Sequence, residues 1–151
     1  AAPKAKSVVE KYKDNTLLIF RNFPIASSHP NARAAAAVAE AAGLQGKFWE
    51  MNGLLYANQN AWNNANTSER SNIFQSYAEQ LKLNINQYKS DIASAKVKNK
   101  IDFDLAVGRQ HGVKATPTFY VNGKNVQMDN TGSIESAIKD ALKSAGVEIK
   151  D

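Results

Sequence analysis

Few residues of this chain could take part in chemistry. It has no cysteine and two histidines, His29 and His111, among 151 residues. Without a thiolate there is no sulfur nucleophile, no disulfide and no soft metal ligand, and the redox compartment stays open. Neither histidine has an Asp or Glu at ligand spacing, so both read as structural or helix-end residues, and no metal or other cofactor is expected. No Gly-x-Ser-x-Gly elbow occurs, which leaves hydrolase chemistry without its usual nucleophile. Gly43 with Gly46, and Gly108 with Gly112, follow helical stretches and read as helix stops, not as phosphate-cradling loops. Asp102 and Asp104 invite a paired-carboxylate reading. Two residues apart on a helix they point to different sides, so they read as a solvated face. Asn66-Thr67-Ser68 matches the glycosylation sequon, which acts only in a cell with that machinery. No catalytic residue is assigned.

The stretch best suited to binding is Gly112-Val113-Lys114-Ala115-Thr116-Pro117-Thr118-Phe119-Tyr120-Val121-Asn122-Gly123-Lys124. Asn122-Gly123 is a hairpin signal, because both central residues of a type I′ turn need positive φ. That predicts strands at Thr118 to Val121 and about Asn125 to Met128. Pro117 stands at the strand mouth, where a missing N–H does least harm. By base rate its bond is trans; a cis bond would leave the Thr116 backbone groups outside the ladder, free for a guest.

The elements that must position this loop are mostly helical. Ala1 to Lys13 has helical composition, with Ala5, Val8, Val9 and Tyr12 on one face. Thr16 to Phe20 is almost wholly apolar and predicts a strand buried on both faces. Ala32 to Ala42 is alanine-rich, with Gly43 as its stop. Gly46 to Asn58 carries Phe48, Met51, Leu54 and Leu55 as a stripe. Asn58 to Asn66 reads as a loop pinned by Trp62. Thr67 or Ser68 is expected to cap a helix with Ile73, Phe74, Tyr77, Ala78 and Leu81 on one face. Asn84 with Gln87 resembles a capping box for a helix to about Ala93. Ser94 to His111 carries Val97, Ile101, Leu105 and Gly108. Thr131 or Ser133 opens a last helix with Ile134, Ile138, Ala141 and Leu142, stopped by Gly146, before a short strand or tail at Val147 to Lys150.

The length suits one domain able to bury roughly two thirds of its unfolded surface. Nineteen Lys and Arg against 14 Asp and Glu give +5, spread along the chain. The closest basic cluster, Lys96, Lys98 and Lys100, has no aromatic pair beside it, so no nucleic-acid partner is expected. No apolar run approaches the ~18 residues of a membrane span, and no charged-apolar-small signal segment opens the chain.

Five segments together resemble the DsbA-like thioredoxin-fold thiol:disulfide oxidoreductases. They are Phe20-Arg21-Asn22-Phe23-Pro24, His29-Pro30-Asn31-Ala32, Gln45-Gly46-Lys47-Phe48-Trp49-Glu50-Met51, Asn58-Gln59 with Trp62, and Gly112 through Gly123. Each is weak alone; their shared order across nearly the whole chain makes the resemblance specific. It implies an α/β fold in one domain over 1–151: a thioredoxin-like core sheet with a helical insertion at about 29–111. It also implies that Ala115, Thr116 and Pro117 form a cis-proline loop that docks extended or unfolded polypeptides through backbone hydrogen bonds. The setting implied is extracytoplasmic, in the periplasm or cell envelope.

The family acts through a Cys-x-x-Cys at the N-terminus of the first core helix, where the helix dipole lowers the first thiol's pKa. Ala1-Ala2-Pro3-Lys4 aligns just downstream of that motif, so the motif and the first core strand are expected to be absent from this chain. Ala115 stands where such relatives commonly carry glycine. The resemblance leaves three ways to fill the strand's place: direct pairing of its two neighbours, a replacement from Val147 to Lys150 or from a second chain in a strand-exchanged dimer, or an upstream segment. Two functions follow: the body of a disulfide oxidoreductase, inactive in exchange as it stands, or a non-catalytic peptide-binding module. A glutathione-transferase-like role ranks third.

Overall fold

The computed structural model describes residues 2–127 and 133–149. In chain order the elements are helices α1 (Ala2–Lys11), α2 (Ala32–Leu44), α3 (Phe48–Ala57), α4 (Gln59–Trp62), α5 (Thr67–Gln80), α6 (Ile85–Ile92) and α7 (Ala95–Gln110). The hairpin strands β1 (Phe119–Val121) and β2 (Lys124–Val126) and helix α8 (Ser133–Ser144) follow. The chain forms two compact units, one of residues 1–20 with 112–151, the other of residues 21–111.

The first unit holds α1, the hairpin and α8. Ala5 of α1 and Tyr12 just past its end meet Ile134, Ile138 and Leu142 of α8, and Phe119, Val121 and Val126 pack against them. The apolar spacing of α8 thus supplies the face that backs the hairpin. The Tyr12 hydroxyl donates to Glu135 Oε1 at 2.8 Å, and Lys11 Nζ at 2.7 Å. Past the end of α1, the Thr16 hydroxyl donates to the Tyr12 carbonyl at 2.8 Å and so satisfies one of the carbonyls a helix end leaves open.

Thr16 to Phe20 is not a strand. Leu18 and Phe20 are half-buried, whereas Leu17 is 83% and Ile19 63% exposed. The run is irregular and alternates exposed with half-buried side chains, and the sheet among the described residues consists of β1 and β2. An unbroken apolar run predicts two covered faces; here one face has no layer over it. Direct pairing of this segment with β1, one of the three ways left open for filling the strand's place, is therefore absent. Val147 to Ile149 forms no strand either, although Val147 and Ile149 pack on the first unit's core. Lys150, Met128 and Thr131 lie outside the described residues.

The second unit is helical. Ala35, Val38, Ala39, Ala41 and Ala42 of α2 are buried against Met51 and Leu55 of α3, Phe74, Tyr77 and Ala78 of α5, and Tyr88 of α6. Alanines let these helices approach closely. The predicted loop 58–66 contains the short helix α4, and Trp62 anchors it as expected: its ring is buried, stacks edge-on to Phe74 at 5.5 Å, and Nε1 donates to the Leu55 carbonyl at 2.9 Å. Asn31 fixes the same stretch. Its side-chain amide donates to the carbonyls of Trp62 and Ala65 at 2.7 and 2.9 Å, and its oxygen accepts from Arg70 at 2.6 Å.

Several helix ends differ from the sequence reading. Asn66, not Thr67 or Ser68, caps α5, in a reciprocal box with Glu69. Its oxygen lies nearer the start of the helix, and Thr67 is the first helical residue. Asn84 caps α6 through the Gln87 N–H as predicted, and Ser94 caps α7. Gly43 does not end α2, which runs on to Leu44. The left-handed residue is Gly46, with φ +76°. Gly43 instead makes room: a Cβ there would sit 3.3 Å from Phe48 Cβ. Gly108 likewise lies inside α7, where a Cβ would fall 2.6 Å from the Phe23 ring.

Candidate functional site

The loop before β1 belongs to the first unit. Gly112 has φ +72°, a left-handed conformation that suits glycine. Val113 is half-buried, while Lys114, Ala115, Thr116 and Pro117 are exposed. The Thr116–Pro117 peptide bond is cis. The Thr118 hydroxyl donates to the Ala115 carbonyl at 2.7 Å and ties the loop back on itself. Beyond it β1 pairs antiparallel with β2, Phe119 opposite Val126 and Val121 opposite Lys124. Asn122 and Gly123 make the turn with φ +48° and +78°, as the sequence predicts. Among the described residues the Thr116 N–H and C=O make no hydrogen bond. The three predicted site residues are thus contiguous, exposed and held at a strand mouth, with one backbone donor and one acceptor unengaged among the described residues.

The second unit holds a charged site that the sequence reading missed. Asp104 is 1% exposed and not part of a solvated face. Its carboxylate accepts from Arg21 at 3.1 Å, from the Asn22 N–H and side-chain amide at 3.0 Å each, and from Lys100. The Asn22 amide also donates to Glu40. Burial pushes the Asp104 carboxyl up, but the hydrogen bonds from Lys100, the Asn22 N–H and Arg21 outweigh it and hold its pKa below the usual value. The spacing carried a signal: Asp104 lies three residues after Ile101 and seven after Val97, on the buried stripe of α7. Nothing local announces Asn22 or Glu40. Asp102 does point elsewhere, to Lys98 and Arg33, whose hydrogen bonds lower its pKa.

Chemically, both Asp104 oxygens are engaged, and the cluster works as a clamp between residues 21–22 and α7. It has no nucleophile. His111 is the C-cap of α7, the helix-end role expected of it. No group of three or more His, Asp or Glu among the described residues is placed to hold a metal ion. The loop offers backbone hydrogen bonding and no reactive group.

A family model described as thioredoxin matches residues 1–140. Among similar curated proteins, the Na(+)/H(+) antiporter NhaA 3 of Salinispora tropica is 32% identical over 146 residues, covering 96% of this chain and 21% of that protein. The Na(+)/H(+) antiporter NhaA 1 of Salinispora arenicola is 30% identical over 152 residues, 100% of this chain and 22% of that protein. The NhaA 1 antiporter of Mycolicibacterium gilvum is 36% identical over 115 residues, 75% of this chain and 18% of that protein. The chain thus spans about a fifth of the length of these relatives. The family match runs from α1 into α8 and takes in both the loop and the buried clamp; this chain belongs to the thioredoxin family.

Proposed function

We propose that this chain carries the polypeptide-docking part of a DsbA-like thiol:disulfide oxidoreductase that acts on exported proteins outside the cytoplasm. The observation that carries the reading is the exposed Ala115–Pro117 loop with its unengaged Thr116 backbone, inside a thioredoxin-family match. An extended peptide laid along Thr116 gains a donor and an acceptor, as in strand addition. The helices within residues 29–111 are read as the family's helical insertion. The chain has no cysteine, so the exchange step needs thiols it does not itself hold. The antiporter relatives are matched over about a fifth of their length. No helix among the described residues is long and apolar enough to cross a membrane. We read the matched part of those proteins as their thioredoxin-family portion.

The missing cysteines favour one second reading, a module that only binds peptide. Affinity separates the two. A module that relies on docking alone should hold an unfolded chain with a Kd in about the micromolar range, whereas a docking loop normally assisted by a covalent mixed disulfide manages only about millimolar. The test is an NMR titration of the full chain with reduced, carboxymethylated α-lactalbumin. Shifts are expected at residues 112–121, and insulin reduction by dithiothreitol should run at the blank rate. Shifts that spare this loop would sink both readings.

A further inference from the structure

We propose that a groove between α2 and α7 is a docking site for an extended polypeptide segment that carries a large apolar side chain next to acidic ones. The proposal concerns the second unit and stands independently of the Ala115–Pro117 loop.

The groove has a volume of about 470 Å³, within the range of sites that take a discrete guest. Leu44 of α2 and Val97 and Phe103 of α7 make its apolar surface, and Lys96, Asn99 and Lys100 stand along α7 at its rim. The spacing 96, 99, 100, 103 puts these four on one helix face. Phe103 is 56% exposed and Leu44 is exposed too, an apolar surface that water covers at a cost.

Charge selects the guest. The Asp104 side chain is fully buried, and Glu40, which lines the groove, is only 16% exposed and pairs with Lys100, whereas Arg21 is 50% and Lys100 38% exposed. The Arg21 guanidinium also sits over the Phe103 ring, 5.7 Å from its centroid. The more exposed charged groups here are therefore cationic, set beside an apolar floor, with Glu40 held by Lys100. Lys96 makes no ion pair, and the Asn99 amide no hydrogen bond, among the described residues. An acidic side chain on the guest meets Lys96, and the Asn99 amide, both donor and acceptor, matches a peptide backbone. A bilayer fits less well. Lys98, the remaining lysine of this run, is bound to Asp102, and Glu40 closes the opposite wall, so the cations form a rim and not a plane.

The test titrates the full chain, labelled with nitrogen-15, with the peptide acetyl-Gly-Asp-Phe-Glu-Gly-amide. Saturable shifts are expected for residues 96–104. Lys96→Glu and Phe103→Ser should each weaken binding by about tenfold, while Lys89→Glu, with the same change in net charge on α6, should change it less than about twofold. Replacing the peptide's acids by their amides should also cost about tenfold. The altered side chains are exposed, and unchanged circular dichroism and thermal midpoints would certify the fold. Equal weakening by Lys89→Glu, equal binding of the amide peptide, or absence of shifts up to about millimolar peptide each overturns the proposal. A parallel arm uses phosphatidylcholine vesicles with about a quarter phosphatidylglycerol. If they sediment the chain through Lys96 and Phe103 while the peptide leaves it unshifted, the groove faces lipid and the proposal fails.

Discussion

Taking a carboxylate out of water costs several kcal/mol unless donors replace the lost hydration. Asp104 has four: Arg21, Lys100 and two from Asn22. The two cations keep part of their surface in water and can return to it if the carboxylate is lost. Buried Asn22 cannot, so its N–H would be left without a full-strength partner. Asp104→Asn keeps the volume and removes the charge, and should lower the unfolding free energy by about 2 kcal/mol at pH 7, read from urea denaturation. The difference should shrink at pH 3. A carboxyl with a lowered folded pKa stabilises fully above its unfolded pKa of about 3.9 and loses that effect as pH falls through the folded value. An unchanged gap at pH 3 would show that the cluster acts through shape, not charge.

At the scale of elements, Gly108 sets two effects against each other. Alanine is favoured over glycine inside a helix by about 1 kcal/mol. A Cβ at 108 would, however, fall 2.6 and 2.7 Å from ring atoms of Phe23, and such overpacking costs about 1–3 kcal/mol. The second effect should win. Gly108→Ala is expected to destabilise the chain by about 1 kcal/mol, and the pair Gly108→Ala with Phe23→Leu to recover part of it, by thermal denaturation. A stabilised single variant would mean the ring moves aside freely. The same position shows where periodicity stops. Helical spacing located α5, α7 and α8 to within a residue or two, because each buries a stripe that recurs along the sequence. The glycines inside α2 and α7 answer to Phe48 and Phe23, neighbours that no local pattern contains. Asp104 is the reverse case: its place on the stripe of α7 was in the sequence, but its partners at residues 21 and 22 were not.

For the whole molecule, lowered carboxyl pKa values recur in both units. Glu135 is held low by the Lys11 hydrogen bond and then the Tyr12 hydroxyl, Asp102 by Lys98 and Arg33, and Asp104 by its clamp. All three shifts have the same sign. The thermal midpoint should therefore stay level above about pH 5 and fall as pH drops below about 4; a midpoint that rises on acidification would contradict these assignments. At this scale the family and the hairpin with its loop were within reach of the sequence, since turn residues and motif order are local facts. The bare face of Thr16 to Phe20 was not, because whether a layer covers an apolar run depends on chain far away.

The first unit is also broken in sequence, its two parts separated by residues 21–111. During synthesis this imposes an order. The buried cluster of residues 21–111, from Ala35 to Tyr88, lies in one continuous stretch and is complete in sequence before His111 is clear of the ribosome. Lys11 and Glu135, by contrast, are 124 positions apart. At ribosomal rates that interval takes about 6–25 s, during which Ala5 and Tyr12 wait without Ile134, Ile138 and Leu142. A nascent chain with its α1 face uncovered for that long is one that holdase chaperones are suited to shelter.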